Sequence, residues 1–461
     1  VAPYALPKLH DERGAQIAAG NIAGNNPSGP GFLPWLEGKG FATSGLFNFT
    51  IDVTDTGLDN GNAGAPAHLD FRQEGLGAGA SRVSYANNHT LDTGGARDCT
   101  GHGTNVASIA AGFGVTGSTR VDGSGYRHGM GMAPRARLGA SKIFACDGKF
   151  ELVGTFTNLT SNAYAAGARI SNNSWGISVP GQYSAESAEY DALVRDAAPG
   201  TAGNQQVVEV FTAGNDGDEV SGTGNEGYAS ITAPGTAKNV ITVGASESAR
   251  SLGGDDGCGV VDSEANDPED IINFSGRGPT DDGRRKPDLV APGTHITGAS
   301  PQHAGYTGAG VCDKSFAGSA FYSLVSGTSQ ATPHVAGAAA LLRDWWVRNV
   351  QPQPPSPAMT KAVLVNSAVD LAGGNSGKGG EVPSAPNTDE GWGRVSLGAA
   401  LDATQREYAD QETTLDVTGQ NVLRSYSVAD TAKPVRVTLA WTDPPPATVT
   451  GNAFVNDLDL E

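Results

Sequence analysis

Between residues 47 and 243 short β-rich runs alternate with helical patterns, and that alternation leaves few architectures open to the chain. Strands separated by helices pair in parallel, and the helices cover both faces of the resulting sheet. The candidate strands are 49–53, 138–144, 168–171, 207–212 and 240–243, and the candidate helices are 104–111, 159–166 and 185–197. The expected class is α/β. Residues 329–347 carry a longer, largely apolar helical pattern, which reads as a helix buried on most sides. The stretches 253–270 and 305–318 lack clean periodicity and read as surface loops holding Cys258 and Cys312.

The prolines of 352–357 suit a turn or rigid connector, yet a helical pattern resumes over 358–369, so the domain boundary falls later, near Ala403. From residue 413 onward the reading is all strand, with candidates at 414–417, 422–428, 435–441 and 454–460. Four short strands cannot close a sandwich or barrel alone. The expected organisation is one large domain over 1–403, N-terminal extension included, and an incomplete, jelly-roll-like β domain over 404–461. On that reading the parent protein continues past Glu461 or was clipped there.

Composition narrows the function classes. With 65 glycines, 38% hydrophobic and 17% charged residues, the chain suits a globular fold rich in tight turns rather than disorder. Its net charge of −19, from 30 basic and 49 acidic residues, speaks against a nucleic-acid surface, which needs clustered Lys and Arg. Surplus carboxylates serve solubility first, and they also suit structural Ca²⁺. The four cysteines, Cys99, Cys146, Cys258 and Cys312, allow three pairings and lack zinc-site spacing; disulfides imply an oxidising compartment. No apolar run reaches the roughly 18 to 20 residues of a membrane span. The chain starts at Val1 without a signal-peptide pattern, as a mature secreted protein would.

Four segments carry chemistry. In Ser326-Gly327-Thr328-Ser329-Gln330, Ser329 falls at the start of the long helix, where free backbone N–H groups and the helix dipole favour developing negative charge. Such a serine could instead simply cap the helix. A hydroxyl needs a base before it attacks, and Gly101-His102-Gly103-Thr104 supplies one, held at the head of a helix. The other seven histidines read as structural or exposed; His334, the main competitor, lies one turn into the buried helix as a packing residue. Asp55 follows the strand 49–53, at the carboxyl end where open α/β sheets build their sites. Asp52 and Asp59 compete with it, and spacing alone leaves the choice open. Asn215, after Phe211-Thr212-Ala213-Gly214, can aim its amide NH₂ at the same place and form an oxyanion hole with the Ser329 N–H, or it can serve only as a turn residue.

Together these segments resemble the subtilisin-like serine peptidases, whose chain order is Asp, His, Ser. More closely they resemble the oxidatively stable alkaline proteases of that family, which add a C-terminal β-barrel domain. The resemblance runs through Ser174-Trp175-Gly176, Ala233-Pro234-Gly235-Thr236-Ala237-Lys238-Asn239, Phe274-Ser275-Gly276-Arg277-Gly278-Pro279, Lys286-Pro287-Asp288, Ala291-Pro292-Gly293, Gly391-Trp392-Gly393-Arg394 and Val455-Asn456-Asp457-Leu458-Asp459-Leu460. It implies Asp55 as the triad carboxylate. It also implies Ser174, Trp175 and Gly176, with Gly214, as substrate-binding residues where bound peptide extends a sheet edge and specificity stays broad.

Further implications are a Cys99–Cys146 disulfide, leaving Cys258 with Cys312, and structural calcium in a tail that carries Asp457 and Asp459. The implied protein is a secreted monomer acting on proteins or peptides. It needs no catalytic cofactor, and its own pro-segment, outside this chain, serves as folding chaperone and inhibitor. Two departures stand out: Gln330 where the family often has Met, and Asn105 where it usually has a second His. A silent binding protein that keeps the scaffold, and a lipase or esterase, are the competing classes; the latter sets its serine between glycines in an elbow, unlike Thr328-Ser329-Gln330.

Overall fold

The chain enters the fold through α1 (Arg13–Ala18), a two-residue hairpin of β1 (Ile22–Ala23) and β2 (Asn26–Pro27), and α2 (Phe32–Gly38). These are the first elements of a computed structural model that describes residues 12–460 apart from 43, 115–120, 123, 180, 219–228, 413, 429, 433 and 450. Residues 1–11 of the expected N-terminal extension therefore lie outside the described residues. The rest of it is built in: all of α1 is buried, and Phe32 and Leu36 of α2 join the main core.

Seven strands then make one parallel sheet: β3 (Thr50–Asp55), β4 (Val83–Asn88), β5 (Arg137–Lys142), β6 (Ala168–Asn173), β7 (Val208–Thr212), β8 (Ile241–Ser246) and β9 (Leu289–Pro292). Their spatial order is β4-β5-β3-β6-β7-β8-β9. Between them run α3 (His102–Ala111), α4 (Phe156–Ala165) and α5 (Ala185–Arg195). After the sheet come the antiparallel pair β10 (Ile296–Ala299) and β11 (Tyr322–Val325), the 22-residue α6 (Thr328–Asn349), α7 (Pro357–Asn366) and α8 (Leu397–Ala400). The α/β architecture expected from the alternation is what forms.

The strand β3 explains the layering. All six of its residues are buried, as a strand covered on both faces must be. Ile51 and Val53 enter the main apolar core with Val106 and Ala107 of α3 and Ala331 and Val335 of α6. Asp52, one step out of phase, faces the other way and accepts from Tyr85 and Ser141 at 2.7 and 2.9 Å. A second apolar cluster, including Phe156, Leu159, Tyr190 and Phe211, covers that opposite face under α4 and α5. In register, Asp55 pairs with Lys142 and Thr54 with Asn173, so the carboxyl ends of β5, β3 and β6 lie side by side.

Small residues bring α3 and α6 together beneath this rim. A Cβ on Gly337 would stand 2.6 Å from Met132 Cβ and 2.8 Å from the Ala110 carbonyl oxygen, so only glycine fits. Both disulfides pair as the resemblance implies, Cys99 with Cys146 and Cys258 with Cys312.

The tail differs from expectation. Among the described residues of 404–461 none is in a strand or helix, and the segments 414–417, 422–428, 435–441 and 454–460 find no ladder partner. A strand exists only by pairing, and with so few segments the alternating side chains stay in water, as Val417, Leu423 and Val435 do. The tail meets the body instead through Asp443, buried and 2.9 Å from Lys238 Nζ. Lys238 Nζ also donates to the carbonyl oxygens of Pro444 and Ala453, each at 2.7 Å.

Candidate active site

Asp55 ends β3, His102 opens α3, and Asn215 follows β7 by three residues, so the sheet and its crossovers deliver all three to the carboxyl rim. His102 Nδ1 lies 2.8 Å from Asp55 Oδ1. The carboxylate is also held by the Thr56 N–H at 2.7 Å, which fixes its plane. Neither competing acid reaches the imidazole in the described hydrogen bonds: Asp52 is engaged on the opposite face, and Asp59 accepts from the N–H groups of His68 and Gln302. Burial opposes charge on His102, but the Asp55 charge, its hydrogen bond and the Asp98 charge outweigh that cost, and the imidazole titrates above its ordinary value of 6.5. The rival His334 is buried in α6 with Nδ1 against the Gln330 carbonyl, and burial pushes it down to about 4, a neutral packing residue at physiological pH.

Helix α3 was expected to begin at Thr104; it begins at His102. The cause is Asp98, which sequence reading passed over. Its buried carboxylate accepts from Thr56 Oγ1, Gly101 N–H, Thr104 N–H and Thr104 Oγ1 at 2.6 to 2.9 Å. Those bonds draw the turn before His102 into the helix and tie it to the residue after Asp55. An Asp followed three residues on by Gly is a local signal for such a knot, legible in Asp98-Cys99-Thr100-Gly101.

Ser329 is the second residue of α6. Its Oγ donates to the Ser174 carbonyl at 3.0 Å, while Ser174 Oγ donates back to the Ser329 carbonyl at 2.8 Å. Pro333 explains the second bond: it has no N–H to give the carbonyl four residues before it, so that carbonyl is left for Ser174. Asn215 is fixed by Thr328, whose N–H and Oγ1 both donate to Asn215 Oδ1, at 2.9 and 2.7 Å. An N–H can meet only the oxygen of the amide, so the amide NH₂ must point away from Thr328. Gly327 keeps this corner clear, since a Cβ there would stand 3.0 Å from Gln330 Oε1 and 3.5 Å from Asn215 Nδ2.

The expected substrate-binding residues divide in role. Gly176 and Gly214 flank the same side chain, Thr232; a Cβ on Gly214 would stand 2.6 Å from Thr232 Cγ2, and one on Gly176 would collide with Thr232 Oγ1. The Trp175 ring turns into the second core cluster, stacked on Phe156 at 5.4 Å. The two departures, Gln330 and Asn105, lie side by side and buried, with Gln330 Nε2 3.5 Å from Asn105 Oδ1. Among the described residues the one close grouping of three potential metal-binding side chains contains both sulfurs of the Cys258–Cys312 disulfide, and Asp457 and Asp459 belong to no such group.

Residues 48–393 match the subtilase family. Among curated proteins, the chain is 25% identical over 470 residues to the serine protease/ABC transporter B family protein tagD of Dictyostelium discoideum, covering 78% of this chain and 24% of that protein. It is 31% identical to pyrolysin of Pyrococcus furiosus, over 52% of this chain and 17% of pyrolysin. It is 30% identical to the serine protease AprX of Bacillus subtilis, over 53% of this chain and 49% of AprX. The chain thus spans about a quarter of tagD, and no more than about half of any of the three.

Proposed function

The chain belongs to the subtilase family, and from that premise we propose that it is a secreted serine endopeptidase that cleaves proteins and peptides through an acyl-enzyme. The 2.8 Å contact between His102 Nδ1 and Asp55, at the same sheet rim as Ser329, carries this reading. The catalytic unit is 1–403, and bound peptide runs along Ser174-Trp175-Gly176 with Gly214 opposite, an arrangement that reads main chain and gives broad specificity.

Ser329 Oγ rests on the Ser174 carbonyl and turns about its Cα–Cβ bond to attack. His102 takes its proton through Nε2, while Asp55 holds the other ring nitrogen and stabilises the imidazolium. The oxyanion is met by the NH₂ of Asn215 and by the N–H groups opening α6. His102 then returns the proton to the leaving amine, and water repeats the sequence on the ester. No cofactor enters these steps. Structural Ca²⁺, a pro-segment that assists folding, and a monomeric state complete the proposal. Loss of melting temperature in excess chelator tests the calcium.

Labelling with a serine-directed fluorophosphonate, with hydrolysis of casein measured beside a long-chain triglyceride, tests the whole. The expected result is one label, lost in Ser329→Ala, and casein cleavage alone. A label that persists in Ser329→Ala, or lipid hydrolysis in place of casein, overturns it.

A further inference from the structure

The segment between β10 and β11 folds back over the His102 end of the site. His303 Nε2 lies 2.8 Å from the Asp98 carbonyl oxygen, and Thr307 donates to the Cys99 carbonyl through both N–H and Oγ1, at 2.8 and 3.0 Å. The Gly310 N–H donates to the Thr100 carbonyl at 3.1 Å. These bonds grip three consecutive residues just ahead of His102. Two residues beyond Gly310, Cys312 is joined to Cys258, and its N–H donates to the Leu324 carbonyl at 3.0 Å. The far end of the segment is thereby pinned to β11, the strand that leads into Ser329.

Between these two anchors Gly310 lies directly against the base. A Cβ on it would stand 3.0 Å from His102 Cβ and 3.1 Å from Thr100 Oγ1. Gly310 is not among the glycines held in the left-handed region, so its backbone conformation does not demand glycine; the space beside His102 is tight enough that a Cβ would push its neighbours by a few tenths of an ångström.

We propose that Gly310 is a positioning residue for His102: its loop, bonded to 98–100 and tethered through Cys258–Cys312, closes the open side of the imidazole-bearing residue and holds it against Asp55. The proposal rests on the reading of His102 as general base. Asp55 restrains the ring at Nδ1, Asp98 shapes the turn beneath it, and the loop supplies the third wall. A residue held at its ring, its flanking turn and its Cβ keeps the geometry that proton transfer needs, and a few tenths of an ångström of intrusion at Cβ becomes a larger displacement at Nε2, the far end of the ring.

The test is a size series at residue 310, read by kinetics on a short peptide ester and by NMR titration of His102 in the Ser329→Ala background, where activity plays no part. By the sensitivity of catalysis to sub-ångström misplacement, kcat should fall about threefold in Gly310→Ala and about tenfold or more in Gly310→Val, with KM within about twofold. The melting temperature should stay within about 2 °C, because the added atoms meet only the side chains of His102 and Thr100 from a partly exposed loop. The His102 titration should move to lower pH as the ring leaves Asp55. Ala309→Ser, in the same loop but turned to solvent, should change none of these. The double variant Cys258→Ser with Cys312→Ser should lower kcat while keeping Gly310.

Wild-type kcat and titration in a folded Gly310→Val protein overturn the proposal, and so does an equal loss in Ala309→Ser. If the wild-type protein cleaves nothing but the His102 titration still shifts along the series, the peptidase reading fails and the positioning role stands.

Discussion

The two faces of the parallel sheet are built by different rules. Beneath α3 and α6 the core is small and apolar, with Ala107, Ala110, Ala336 and Gly337 letting the two helices approach while each presents a polar residue, His102 or Ser329, at its first turn. Beneath α4 and α5 the sheet buries carboxyl groups. Asp52 and Glu209 both lie there, bonded to Tyr85, Ser141 and Asn173. Burial pushes Glu209 up to about 8, with the Asn173 hydrogen bond opposing and the Asp52 charge adding. Placement at the rim leaves polar groups partly open to solvent and free to act on one face; enclosure makes them a stability liability on the other.

That contrast is best broken by substitutions that separate rate from stability. Ser329→Ala should cost about 10⁶ in turnover, as loss of a triad serine does, with little change in melting temperature; a fluorogenic peptide assay beside calorimetry decides it. Asp55→Asn should cost about 10⁴, the scale for a triad left with the wrong tautomer, and should move the acid limb of kcat/KM down from its position above 6.5 toward the ordinary histidine value. Asn215→Ala should cost about 10² to 10³ in kcat.

On the other face the readout is stability against pH. Glu209 titrates higher folded, near 8, than unfolded, near 4.5, so the folded state binds more protons between those values. Its contribution is whole below about 4.5 and is lost as pH rises through about 8, a decline on the order of a few kcal/mol. Glu209→Gln should flatten that decline in urea unfolding measured from pH 5 to 9 and leave turnover within about twofold. An unchanged slope would show that other groups govern the alkaline side. The smallest effect concerns peroxide: activity should survive it better than in Gln330→Met, which places a thioether beside Ser329.

The face that carries the proposed triad was the more legible in sequence because its residues sit in short segments with their own turn chemistry. Gly101-His102-Gly103 and the polar head of a long apolar helix mark themselves, and strand alternation put Asp55 at the rim. Between Asp52 and Asp55, three residues apart on β3, direction separates the one on the opposite face from the one beside His102, while Asp59 lies past the strand and accepts from the His68 and Gln302 N–H groups. The opposite face was not legible: a single Asp or Glu in a strand gives no sign that its partners come from three other strands. Asp98 was missed because its donors are threonine hydroxyls and backbone N–H groups, none of which carries a charge that would mark it as a carboxylate's partner. In the tail, alternating apolar residues were read as strands that do not form among the described residues, because pattern supplies no partner and pairing is what makes a strand.

Pro333 has a consequence of its own. By withholding one N–H four residues downstream, it converts an internal carbonyl of α6 into an external handle, and Ser174 holds that handle. The segment proposed to guide an incoming peptide and the serine proposed to attack it are thus fastened to each other, so in that mechanism docking chain and attacking atom keep a common alignment through each turnover.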